Sequence, residues 1–227
     1  MTGRLHPRLD ILPAAQRALW PRLTPLRELG FVLYGGTAVS LRLGHRVSVD
    51  FDFFVETPID RRRLRAALPL LAACETLQEA PDTLVVTCPP TEGAQTPVKL
   101  SLFGDIGFGR VGEPDLTDDR VAFVASPVDL LATKLKVILQ RAEAKDYRDI
   151  AALIRAGVPL ETGLAAARAL FGKPFPPAEC LRALTWFEDG DLRTLPPEDR
   201  VTLERAAAEA GPLPAVHVVS TRLAPER

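Results

Sequence analysis

FVLYGGTAVSLRLGHRVSVDFDFFV, residues 31–55, is the stretch that decides the fold. It reads as a strand, a glycine turn, a short helix and a second strand carrying two carboxylates. Asp50 and Asp52 alternate with Val49, Phe51 and Phe53, so on a strand both acids leave one face while the apolar residues pack behind. A hard divalent cation finds oxygen ligands of that kind congenial. Gly35 and Gly36 end the first strand without a Cβ, which lets backbone N–H groups approach a phosphate. Thr37 then opens a helix whose N-terminus favours anions. Between Gly36 and Asp50 the residues Ala38, Val39, Leu41 and Leu43 form the apolar side of one short helix, and Gly44 with His45 turns the chain back beside its first strand.

Each piece alone has a plainer reading. A Gly-Gly pair is commonly a tight turn, and a D-x-D on an alternating strand is commonly a solvated face. It is the joint pattern, phosphate turn and carboxylate strand one helix apart, that forms the active-site plan of a metal-dependent nucleotidyltransferase. A second segment, ATKLKVILQRAEAKDYRDIAAL, follows later. Ser126 and Pro127 read as an N-cap and first-turn proline, opening a helix to about Arg141 with Leu131, Leu135 and Ile138 on its buried stripe. Lys134 and Arg141 are seven apart and share a face, as cations able to hold phosphates or as an ordinary helix edge. Asp146 and Asp149, three apart at the next helix start, read either as capping acids or as reactive carboxylates.

Together, GGTAVSLRLGHRVSVDFDFF and the later segment resemble the AbiEii/AbiGii-type nucleotidyltransferase toxins of type IV toxin–antitoxin systems, over roughly residues 30–156. The resemblance implies a fold: an α/β (α+β) polymerase-β-like mixed sheet with flanking helices and a helical C-terminal half. It also implies roles. Gly35, Gly36, Thr37 and Ser48, with Arg141, would bind the nucleotide; Asp50 and Asp52 would hold Mg²⁺ or Mn²⁺; Lys134 would neutralise charge, and Asp149 would take the place of the family's later catalytic carboxylate. Further implications are an NTP substrate, an RNA acceptor such as a tRNA 3′ end, and a separately encoded antitoxin. One departure stands out. Many polymerase-β-like transferases carry a third carboxylate on a later strand, but PVKLSLF, residues 97–103, offers Lys99 and Ser101 on its polar face, with Asp105 beyond its end. A single tightly bound ion is the expectation that follows, with Asp149 supplying the missing carboxylate.

The remaining composition bounds the answer. The chain has 227 residues, 47% of them hydrophobic, enough for one large or two small cores. Its 28 basic and 29 acidic residues leave a formal charge of −1, so no global basicity advertises nucleic acid. Arg61, Arg62, Arg63 and Arg65 after the N-cap Asp60 form the densest cationic cluster, as a solvated face or a phosphate contact. Cys74, Cys88 and Cys180 make no C-x-x-C pair and read as reduced thiols. With scattered histidines, no long apolar run and no signal peptide, this gives a cytoplasmic protein without zinc or membrane contact.

The expected domains are 1–125, a nucleotidyltransferase core, and 126–227, a helical domain completing the site. Strands are predicted at FVLY, VDFDFFV, CETLQEA, TLVVTC, VKLSLF and VAFVA, after a helical N-terminus broken by Pro21 and Pro25. The loop 89–97 is read as a hairpin-like connection, and the last residues as a tail or late strand. Two other functions share the first motif: a small-molecule transferase of the aminoglycoside-modifying kind, and a catalytically degenerate nucleotide-binding module. An acidic acceptor cleft would mark the former, and retention of Ser48, Asp50, Asp52, Lys134 and Asp149 argues against the latter.

Overall fold

The computed structural model describes residues 3–90 and 96–226, so the middle of the 89–97 loop lies outside the described residues. The chain forms two compact units. The first comprises Met1–Gly109, Glu113–Ala125 and Ser220–Arg227, and the second Arg110–Gly112 and Ser126–Val219.

The first unit contains, in chain order, β1 (Arg4–Leu5), α1 (Ala14–Leu19), α2 (Thr24–Glu28), β2 (Val32–Tyr34), α3 (Gly35–Leu43), β3 (Asp50–Phe54), α4 (Arg61–Ala67), β4 (Glu75–Ala80), β5 (Thr83–Cys88), β6 (Val98–Phe103), β7 (Asp115–Thr117) and β8 (Phe123–Val124). They build one eight-stranded mixed sheet in the order β1-β7-β8-β2-β3-β6-β5-β4. Pro21 and Pro25 sit in first turns, where a missing N–H costs nothing, and so divide the N-terminal helical segment as its sequence predicts. Every predicted strand is present. β1 and β7, two and three residues long, were too short for alternation to reveal.

The sheet is centred on β2 and β3. Val32, Leu33 and Tyr34 are buried on both faces, and so are Phe51 and Phe53 from the back of β3. Trp20 stacks on Phe51 with ring centroids 5.8 Å apart, so the N-terminal helices cover that face. α3 is anchored by Arg42, whose guanidinium donates to the carbonyl oxygens of Val124 (3.0 Å) and Ala125 (2.8 Å) and pairs with Asp115 at 2.7 Å. The opposite edge is blunted. β4 is exposed along its length and broken by an irregularity between Thr76 and Gln78, a protection against pairing with other chains.

The cysteines require a correction. Glu75 pairs with Thr87 across β4 and β5, which brings the next residues outward, Cys74 and Cys88, opposite each other, and they form a disulfide. Their partnership comes from strand register, which spacing alone does not reveal. It also removes the reduced-thiol argument for a cytoplasmic setting, since such bridges persist mainly in oxidising surroundings. Cys180 is free and buried as expected, and burial pushes its thiol up to about 12.

The second unit is helical: α5 (Pro127–Val137), α6 (Ala144–Arg155), α7 (Leu160–Phe171), α8 (Pro177–Leu184) and α9 (Pro197–Glu209). Ser126 caps α5 by accepting the Asp129 N–H at 3.1 Å, confirming the predicted start, but the helix ends at Val137 and not near Arg141. Asp129 in turn accepts from the Val111 and Gly112 N–H groups at 2.8 and 3.0 Å. Burial pushes its carboxyl up, opposed by those bonds and by Ser126. Arg155 binds Asp199 at 2.7 Å and so ties α6 to α9. Among the described residues the C-terminal segment adds no strand to the sheet, although Leu223 and Ala224 are buried in the first unit. Among the described residues no single helix is long and apolar enough to cross a membrane.

Arg42→Ala should destabilise the protein by about 3 kcal/mol, because a buried ion pair and the hydrogen bonds to two strand-end carbonyls are lost together. Arg42→Lys should recover only part, an ammonium being unable to fork across both. Chemical denaturation of the two variants checks the order.

Candidate active site

Antiparallel register sets Tyr34 opposite Asp52, so the residue after Tyr34 meets the Asp52 side chain. That residue is Gly35, with φ +71°. A Cβ built on it would stand 2.4 Å from Asp52 Oδ2, and 3.2 Å from the carboxyl carbon. Glycine is therefore required twice, by conformation and by contact. α3 starts at this residue, and the side chain of the preceding Tyr34 does not cap it.

Thr37 is buried, and its hydroxyl bridges Ser48 Oγ at 2.9 Å and the Asp50 carbonyl oxygen. It thus acts as a strut between α3 and the start of β3, while the half-buried Asp50 and Asp52 occupy the face opposite Phe51 and Phe53. Across the parallel pairing with β6, Asp50 aligns with Lys99 and Asp52 with Ser101. No acid stands on that strand, as its sequence predicts. Among the described residues no group of three or more His, Cys, Asp or Glu side chains could hold a metal. The donor set still suits Mg²⁺, which binds through one or two carboxylates together with substrate phosphates and water. The missing Cβ at Gly35 is what lets the Asp52 carboxylate pack against the turn.

The sequence reading missed Arg46. Its guanidinium lies against Gly36, with Nη2 2.3 Å from where a Cβ would be, and Ser48 Oγ lies 3.1 Å from the same point. A signal was available: Arg46, Ser48, Asp50 and Asp52 continue one two-residue spacing. The α4 arginines divide. Arg61 donates to the Ala80 and Thr83 carbonyl oxygens and Arg65 pairs with Glu79 at 3.7 Å, both bracing the β4–β5 hairpin, whereas Arg62 and Arg63 are exposed.

In the second unit Lys134, Asp146, Asp149 and Arg141 form one cluster. Lys134 Nζ lies 2.7 Å from Asp146 Oδ1 and 2.6 Å from Asp149 Oδ2. Arg141 Nε donates to the other Asp146 oxygen at 2.9 Å. Both aspartates are wholly buried. Two readings change. Arg141 lies beyond α5 and reaches the cluster from the following turn, so it shares no helix face with Lys134. Asp149 stands in the second turn of α6, and only Asp146 is a first-turn acid; Asp149 is therefore no cap.

A family model described as nucleotidyl transferase AbiEii toxin, type IV TA system, matches residues 22–217. An uncharacterized protein of Aquifex aeolicus (strain VF5) is 33% identical over 127 residues, 55% of this chain; the match spans 58% of that relative's length. Among solved structures, MenT4, a nucleotidyltransferase toxin from Mycobacterium tuberculosis H37Rv, superposes with a TM-score of 0.55 at 14% identity, over 89% of this chain and 84% of that one. At that identity the likeness establishes the fold.

Three substitutions probe the geometry. Gly35→Ala should cost about 1–3 kcal/mol, since it adds a Cβ in a left-handed turn and against a carboxylate. Lys134→Ala should cost about 3–5 kcal/mol by leaving two buried carboxylates without their shared cation, whereas Lys136→Ala should stay within about 0.5 kcal/mol. Urea denaturation of the three variants measures each; equal losses at 134 and 136 would overturn the cluster's importance.

Proposed function

We propose that this chain, which belongs to the AbiEii family of nucleotidyl transferase toxins of type IV toxin–antitoxin systems, transfers a nucleoside monophosphate from an NTP to an acceptor hydroxyl. The observation that carries the reading is the contact of Asp52 with the Gly35 turn, which brings a carboxylate pair and a helix N-terminus together. The acceptor oxygen forms a bond to the α-phosphorus, the bond from that phosphorus to the bridging oxygen breaks, and pyrophosphate leaves. Asp50 and Asp52 would hold Mg²⁺, or Mn²⁺, which when bound neutralises phosphate charge and orients the α-phosphate. The N–H groups at Gly36 and Thr37 receive phosphate oxygens, and Ser48, hydrogen-bonded to the Thr37 hydroxyl, holds that turn against the carboxylate strand.

The roles in the helical unit are part of the same proposal. An ammonium has three donors, and two from Lys134 are directed at Asp146 and Asp149, which leaves one for a phosphate oxygen. Asp149 positions the acceptor hydroxyl and Arg141 assists in nucleotide binding. Toxin-family membership favours RNA as the acceptor, a tRNA 3′ end in particular, and a separately encoded antitoxin as the partner. Both NTP and tRNA point to the cytoplasm as the place of action.

Incubation with each labelled NTP, Mg²⁺ and total RNA should label a small RNA. Asp50→Asn and Asp52→Asn should each lower the rate by at least about 10²–10³ while melting as the parent does. Failure of every NTP, or full activity in either variant, would overturn the reading. Asp149→Asn separates a role in chemistry from one in packing: transfer should fall by two or more orders of magnitude with NTP affinity retained. Lost stability with undiminished turnover would return Asp149 to a structural role.

A further inference from the structure

We propose that Arg46 is the residue that grips the terminal phosphates of the NTP, and so gives the site its preference for triphosphate over monophosphate. This rests on the transferase reading above.

Three observations place it there. The Arg46 guanidinium lies on Gly36, the second residue of α3, with Nη2 2.3 Å from where a Cβ would stand. An anion approaching the start of α3 would meet the guanidinium beside it. Second, Arg46 Nη1 donates to the Val47 carbonyl oxygen at 3.0 Å, which fixes the planar head within its own loop. A held guanidinium spends less freedom on forking across two phosphate oxygens. Third, the loop itself is open: Val47 and Val49 are 58% and 57% exposed on either side of the buried Ser48.

Charge supplies the reason such a residue is needed. An NTP brings about four negative charges to a site that already holds Asp50 and Asp52. One divalent ion cancels only part of this, and β6 offers Lys99 and Ser101, not an acid that could recruit a second ion. Side-chain cations must cover the remainder. Asp52 rests against Gly35 and Arg46 against Gly36, so carboxylate and guanidinium stand at adjacent residues of one turn. The metal-bound phosphate and the outgoing pyrophosphate are then divided between them. Thr37, whose hydroxyl is occupied with Ser48 and Asp50, contributes only its N–H.

The test compares NTP, NMP and inorganic pyrophosphate binding by calorimetry, in Ca²⁺ to prevent turnover, for the parent chain, Arg46→Ala and Arg46→Lys. Arg46→Ala should weaken NTP and pyrophosphate about ten- to a hundredfold, the worth of one to two charge-assisted hydrogen bonds, and leave NMP within about twofold of the parent, as expected for the loss of a terminal-phosphate contact alone. Arg46→Lys should recover part of the loss, through charge without the fork. Should Arg46→Ala melt early, Arg46→Gln keeps the stem packing without the charge and carries the same comparison. Equal weakening of NTP and NMP, or no weakening of either, overturns the assignment to Arg46 alone. Failure of the parent chain to bind any NTP overturns the transferase reading and this assignment with it.

Discussion

The first unit depends on a hydrogen atom where any other residue would carry a carbon. Asp52 stands so close to Gly35 that a Cβ would collide with its carboxylate. That contact follows from the β2–β3 register, which pairs Tyr34 with Asp52, and from the absence of any loop between β2 and α3. A slip of one residue would turn Asp50 and Asp52 into the core and Phe51 and Phe53 to water. The burial of both phenylalanines therefore defends the position of both acids. Thr37 adds a second restraint by joining α3 to the entry of β3, so helix N-terminus and carboxylate strand hold one arrangement.

The second unit solves a harder electrostatic problem. Asp146 and Asp149 have no exposed surface, and an isolated carboxylate in such a place is very costly. One lysine serves both, with Arg141 on the remaining Asp146 oxygen. Replacing such clusters with apolar residues is often neutral or stabilising in other proteins, so stability alone is a weak reason to keep one. On the proposed reading, this buried lysine and its two acids, inside the segment matched by the family model, fix charged groups for the transfer.

What the sequence made legible was whatever local periodicity determines. Alternation located β3 and β6, the lone Ser126-Pro127 signal located the start of α5, and Gly35-Gly36 located the turn. The features it concealed depend on partners far along the chain. β1 and β7 are too short to have a period, and the Cys74–Cys88 bridge exists only because β4 and β5 pair in one register. Arg141 was misread because seven residues equal two turns only while a helix continues, and α5 stops at Val137. For Asp149 the capping alternative stayed open beside the catalytic one for want of the helix start at Ala144, which no side chain marks. Arg46 shares a two-residue spacing with Ser48, Asp50 and Asp52, but its place on Gly36 depends on how the loop folds back on α3.

The β3–β6 register bears on the charge of the whole site. In a parallel pair, aligned residues on one face stand about 5 Å apart, so whatever β6 places opposite Asp50 and Asp52 belongs to the same electrostatic neighbourhood. Here it places Lys99, exposed, and Ser101, buried. An acid at either position would raise the site's negative charge and call for more metal. A lysine and a serine lower that demand and leave the nucleotide's charge to be met by side chains. On the proposed reading, the chain exchanges part of a metal's work for fixed cations, and Arg46 on the Gly36 turn is where that exchange takes place.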